Sequence, residues 1–162
     1  MRETQFYLHY NGTGIGISNA NMWWGPGIHT SLTMTNNTTG FPHLMIGTLN
    51  EKRIGNIGIN IRYIFTQLNE VTGNPYYTAL VWTVRIHAQP AITLGLSRSY
   101  LSGGLVPVYR PFTIWDAALL PFESLFIDAK ILKYPSDWEP HDRWDETMAG
   151  FVSLHFPNSG IQ

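Results

Sequence analysis

Between residues 57 and 66 the chain changes face at every step. Ile57, Ile59, Ile61, Tyr63 and Phe65 alternate with Gly58, Asn60, Arg62, Ile64 and Thr66. A period of two sustained this long belongs to an extended strand with one face buried, and a helix would scatter the same residues around its axis. A polar connection over residues 69–75 turns the chain. Residues 76–88 then repeat the pattern, with Leu80, Trp82, Val84 and Ile86 on one face and Val81, Thr83, Arg85 and His87 on the other. Two long strands of this kind commit the chain to a β architecture.

Shorter stretches extend the reading. Phe6, Leu8 and Tyr10 alternate within residues 5–10, and residues 28–35 alternate through Leu32 and Met34. Residues 112–115 read as a short strand entered through Pro111, a residue suited to strand starts. Residues 124–132 and 150–156 supply two more, and 44–46 and 105–108 are short extra candidates. One short helix is expected near residues 142–149, with Asp142 as its cap, Asp145 in its first turn and Gly150 ending it. The glycines of residues 11–16 match no phosphate-binding fingerprint, so that segment reads as a loop. The connections 11–27, 89–110 and 134–148 are too long for tight hairpins, and such lengths suit crossings between two sheets. The expected fold is therefore all-β: a single eight-stranded jelly roll of two packed antiparallel sheets, with long loops and one short helix, filling one domain over residues 1–162.

Composition narrows the function classes. Only 13% of the residues are charged, about half the usual share, while 6 Trp, 8 Tyr and 8 Phe are present. A surface so poor in charge is expected to be covered largely by other protein. With no cysteine, disulfides, thiolate catalysis and cysteine zinc sites are excluded. No apolar run is long enough for a spanning helix, and residues 1–6 lack the apolar core of an export signal. Residues 1–110 carry seven Lys or Arg against three acids, whereas residues 111–162 carry three against eight. Two faces of opposite sign are thereby allowed.

The densest polar group is Asp137-Trp-Glu-Pro-His-Asp-Arg-Trp-Asp-Glu146. Its spacing matches no calcium loop, and a solvated acidic loop is the simplest account of it. The six histidines show no ligand spacing, and the Ser97 and Ser102 surroundings lack a nucleophile elbow. No cofactor, metal or catalytic residue is expected, and a β-sandwich hydrolase built on the residue 137–146 acids is the weakest reading. Arginines in the company of aromatic residues point elsewhere. Arg53, Arg62, Arg85, Arg98 and Arg110 are candidates for phosphate contact on a single nucleic-acid strand. Arg62 and Arg85 share the less apolar phase of the two long strands and are expected on one sheet surface.

A Gly47-Thr48 turn, then Arg53-Ile54-Gly55-Asn56, then two long paired strands, then Phe112-Thr-Ile-Trp-Asp116, resembles the capsid proteins of circovirus-like single-stranded DNA viruses. The match in order and spacing spans roughly residues 44–132. The resemblance implies a coat subunit of a virion, sixty copies of which close into a small T=1 icosahedral shell around single-stranded DNA in a host cell. It implies a host surface receptor as a further partner, and neither enzymatic activity nor a membrane. Such capsids usually start with an arginine-rich arm, of which this sequence shows Arg2 alone; either an arm lies outside this sequence or packaging relies on the folded-domain arginines. Trp23, Trp24, Trp138 and Trp144 are expected at subunit interfaces. The alternative is a jelly-roll carbohydrate-binding module that stacks sugars on those loop tryptophans.

Overall fold

The computed structural model describes residues 3–22, 24, 40–69, 74–103, 113–126 and 144–156. Its strands are β1 (Gln5–Tyr10), β2 (Thr13–Ser18), β3 (His43–Thr48), β4 (Lys52–Ile54), β5 (Ile57–Gln67), β6 (Tyr76–Ile86), β7 (Ala91–Ser102) and β8 (Trp144–His155), with one helix, α1 (Ile114–Phe126), between β7 and β8. The all-β class, with eight strands and a single helix, is as the sequence leads one to expect. All pairings are antiparallel, and the order β1-β2-β3-β5-β6-β7-β8 follows the chain, with β4 pairing β5 beside that path. The described strands thus form one sheet in meander order. The two packed sheets of a jelly roll are not seen among them, because segments read as crossings are themselves strands that pair with their neighbours.

The first such segment is the β1–β2 hairpin. Asn11 and Gly12 both take positive φ, 45° and 71°, which is the two-residue turn whose twist matches that of the strands it joins. Residues 13–18 therefore fold back on β1 in register from Tyr10↔Thr13 to Gln5↔Ser18. Thr4 N–H closes the far end by donating to Asn19 Oδ1 at 2.6 Å. The second segment is β7, whose Ile92, Leu94 and Leu96 alternate with Thr93, Gly95 and Ser97. It pairs with β6 along its length, from Tyr76↔Ser102 to Ile86↔Ile92.

Helix and strand exchange places near the C-terminal end. The strand expected at residues 112–115 is the start of α1. Thr113 and Asp116 cap each other: Thr113 N–H donates to Asp116 Oδ2 at 3.0 Å and Asp116 N–H donates to Thr113 Oγ1 at 3.2 Å. That reciprocal bond satisfies two of the donors a helix start leaves unpaired. Residues 124–126, expected to open a strand, end this helix. Conversely, the helix expected at 142–149 is largely β8, which lies along β7 from Ser102↔Trp144 to Ala91↔His155. A twelve-residue edge offers more backbone hydrogen bonds than one or two helical turns can supply. The strands expected at 28–35 and 105–108 lie outside the described residues.

Both faces of the sheet are covered only in part. On one face α1 packs on β6 and β7, and Ala117 and Leu120 of the helix are buried, as are Leu80 and Tyr100 of the strands. Tyr63 stacks on Phe122 with ring centroids 5.3 Å apart, and its hydroxyl donates to Ala118 O at 2.9 Å. On the other face Trp24 packs into a core of Met45, Ile64 and Ala79, bordered by Tyr7, Met22, Phe41, Leu49, Tyr77 and Val81. This second core is built from the less apolar phase of β5 and β6. Among the described residues, the phase that sequence periodicity marks as buried is covered by α1.

Candidate assembly face and arginine face

Residues directly opposite in an antiparallel pair point to the same side, so the registers assign every strand residue to a face. On the α1 face Phe6, Ile17, Leu44 and Phe65 form one row, and Leu8, Ile15, Ile46 and Tyr63 the next. Lower down, Ile61 meets Trp82 and Leu96, Ile59 meets Val84 and Leu94, and Ile57 meets Ile86 and Ile92. Met148, Val152 and Leu154 continue these rows onto β8. Every exposed large apolar side chain carried by a strand lies on this face. Ile61 is 44% exposed and Trp82 39%, although both sit on the middle strands of the sheet.

The charged strand side chains on that face are Lys52, Arg98 and Glu146. Arg98 Nε donates to Glu146 Oε1 at 2.9 Å, and the guanidinium lies 5.5 Å from the Tyr100 ring centroid. Glu146, expected in an acidic loop, is thus a strand residue with a counter-charge on the adjacent β7. Arg98 is set apart from Arg53, Arg62 and Arg85 by facing the opposite way and by this carboxylate.

The Trp24 face differs in chemistry. Gly14, Gly16, Asn60, Thr83, Thr93, Ser97, Ser99 and Ser153 line it, with Arg53, Arg62 and Arg85 among them. The expectation that Arg62 and Arg85 share a surface is met. Arg85 stands opposite Gly58 and Arg62 four residues farther along β5, about 13 Å away at strand rise. Arg53 lies opposite Gly58 from the other side, so Arg53 and Arg85 flank the same glycine. Glu51 occupies the space over Gly58 and accepts from His87 Nε2 at 2.7 Å. The Nε atoms of Arg62 and Arg85 are buried without a hydrogen-bond partner among the described residues. Arg110 lies outside the described residues.

Of the expected interface tryptophans, Trp24 is 5% exposed and belongs to the core. Its side chain covers Met45 and Ile64, and what it still exposes lies toward the pocket described below. Trp144 opens β8, and Trp23 and Trp138 lie outside the described residues, as do acidic residues 137, 139 and 142. Trp82, a tryptophan that does stand partly exposed on the sheet, reads in the sequence as core.

A pocket of about 400 Å³ opens on the Trp24 face, with Tyr7, Trp24, His43, Met45 and Arg62 in its lining. Gly16 makes room for it: a Cβ there would run into the Tyr7 ring, which lies across β2. Tyr7 Oη donates to Met45 Sδ at 3.5 Å. His43 Nδ1 sits 2.8 Å from Phe41 O, and burial lowers its pKa below the usual value despite that bond. His43 is therefore neutral near pH 7, with Nδ1–H donating and Nε2 left as an acceptor. No three His, Asp or Glu side chains among the described residues come together as a metal site, and no described helix is long and apolar enough to cross a membrane. In comparisons with known proteins, no family model, curated protein or solved structure matches this chain.

Proposed function

We propose that this chain is a structural subunit that assembles with copies of itself through the apolar α1 face. The observation that carries the reading is that the exposed large apolar side chains of all eight strands crowd onto one side of a single sheet. Monomeric proteins rarely leave a contiguous apolar surface of this kind open to water. The low charge of the chain supports the same conclusion. The resemblance to circovirus-like capsids supplies the product: a closed icosahedral coat of sixty subunits around single-stranded DNA.

The division of chemistry between the two faces fits that role. A subunit of a coat needs one surface that joins its neighbours and another that tolerates phosphate. Arg53, Arg62 and Arg85, among Ser, Thr and Asn side chains, give the Trp24 face the second character. Phosphate neutralisation by such arginines needs no base-specific geometry.

The test is electron microscopy of the purified protein, alone and with a single-stranded DNA circle, followed by nuclease digestion. Closed particles that protect the circle are the expected result. Monomers under all conditions would refute the assembly, and empty shells would refute the cargo. Flotation with lipid vesicles would assign the apolar face to a bilayer instead.

A further inference from the structure

Among the described residues that line the Trp24-face pocket, Arg62 is the one cationic side chain, and none is Asp or Glu. No ion-pair partner for Arg62 exists among the described residues, and its Nε is buried without an acceptor. A guanidinium half-withdrawn from water without a counter-charge is costly, and the cost falls when an anion binds. Around it the pocket offers flat and polarisable walls in Tyr7, Trp24 and Met45, with His43 held neutral beside them. Its volume lies within the range of sites that enclose small molecules.

From this arrangement we propose that the pocket binds a small planar ligand bearing one carboxylate or phosphate group. The anion engages the Arg62 guanidinium, whose planar fork matches either group in bidentate fashion. The ring lies among Tyr7, Trp24 and Met45, where an aromatic body gains most from burial. The Tyr7–Gly16 contact holds that wall in place, because no bulkier residue at position 16 leaves the ring where it is. The site belongs to a single copy of the chain and stands whether or not copies assemble.

Titration calorimetry on the intact chain at low salt, with benzoate, phenyl phosphate and neutral phenol as probes, tests the site. At least one of the two anions should bind tenfold or more tightly than phenol, and the tighter of the two names the head group. Arg62→Gln should abolish that difference, and Arg62→Lys, which keeps the charge without the fork, should retain part of it. Should Arg62→Gln fail to fold, salt gives the same answer in the parent: 0.5 M salt, on the order of a fewfold excess over physiological strength, should weaken the anion and leave phenol unchanged. Equal binding of anion and phenol, or an anion preference that survives both Arg62→Gln and salt, would overturn the proposal. So would binding of an oligonucleotide with neither small anion.

Discussion

Ile61 and Trp82 stand directly opposite each other on the two middle strands β5 and β6, and about two-fifths of each remains open to solvent. In an ordinary sheet that position is the core. Here α1 lies over the neighbouring Tyr63–Leu80 row, so the pair marks where the cover by described residues ends. Replacing Trp82 with Glu should abolish association while the monomer keeps its fold, because two-fifths of the side chain is open to water in the single copy and would be covered only between copies. Sedimentation checks the first half and far-ultraviolet circular dichroism the second.

The Arg98–Glu146 pair lies on the same face, with 13% and 33% of the two side chains exposed. In the monomer water still reaches Glu146, and Glu146→Gln should cost only about 1 kcal/mol in a denaturant melt. Association removes that water and leaves Arg98 without its carboxylate. Assembly of Glu146→Gln should therefore weaken more than monomer stability does. Equal losses in the two measurements would mean that this end of the face is not buried by a neighbour.

Alkali should loosen the packing of α1 on the sheet. Burial pushes the Tyr63 hydroxyl up to about 12 from a usual value of 10, and burial raises Tyr77 too against an opposing bond from Ser99. A raised folded value favours the neutral phenol, so the stabilisation is complete below pH 10 and is lost as pH rises toward 12. Melts between pH 9 and 12 should fall less steeply for Tyr63→Phe than for the parent. At neutral pH that variant should lose about 1 kcal/mol with the bond to Ala118 O. Parallel pH curves would show that Tyr63 does not carry the effect.

Gly16→Val places a branched side chain where the Tyr7 ring now lies. The ring must move off Met45, and the overpacking should cost about 1–3 kcal/mol. Urea unfolding monitored by tryptophan fluorescence reads this loss, since Trp24 borders the same core. A variant as stable as the parent would mean that the ring has another place to go.

Arg53 and Arg85 flank Gly58, clear of the Arg62 pocket, and are the arginines best placed to test cargo. Arg53→Gln with Arg85→Gln should leave particles intact and lower their protected DNA. The salt dependence of strand binding should flatten by about 0.7 of log slope for each phosphate that is no longer neutralised. Unchanged DNA content would assign both residues to the sheet alone.

Much of this architecture is written locally. β1, β5 and β6 announce themselves by period two, and the shared face of Arg62 and Arg85 follows from phase alone. The Asn11-Gly12 turn is just as local, and its hairpin is hidden only because the glycines after it look like loop residues, whereas Gly16 is there to seat Tyr7. The exchange of helix and strand is of another kind. Asp145 and Gly150 carry helix cues, but the open edge of β7 captures the segment as β8, and no local pattern reports that edge. The apolar phase of β5 and β6 is legible as apolar. Whether its cover comes from the same chain depends on where α1 lies, which periodicity does not contain. Trp24 shows the converse, a loop tryptophan drawn into the core because Met45 and Ile64 need a lid.

Sedimentation velocity of the parent beside Trp82→Glu, at micromolar concentration and physiological salt, tests most directly whether the α1 face joins copies of the chain. The expected result is a large assembled species for the parent and a folded monomer near 18.4 kDa for the variant. A parent that sediments as that same monomer, with Trp82 open to water, would contradict it.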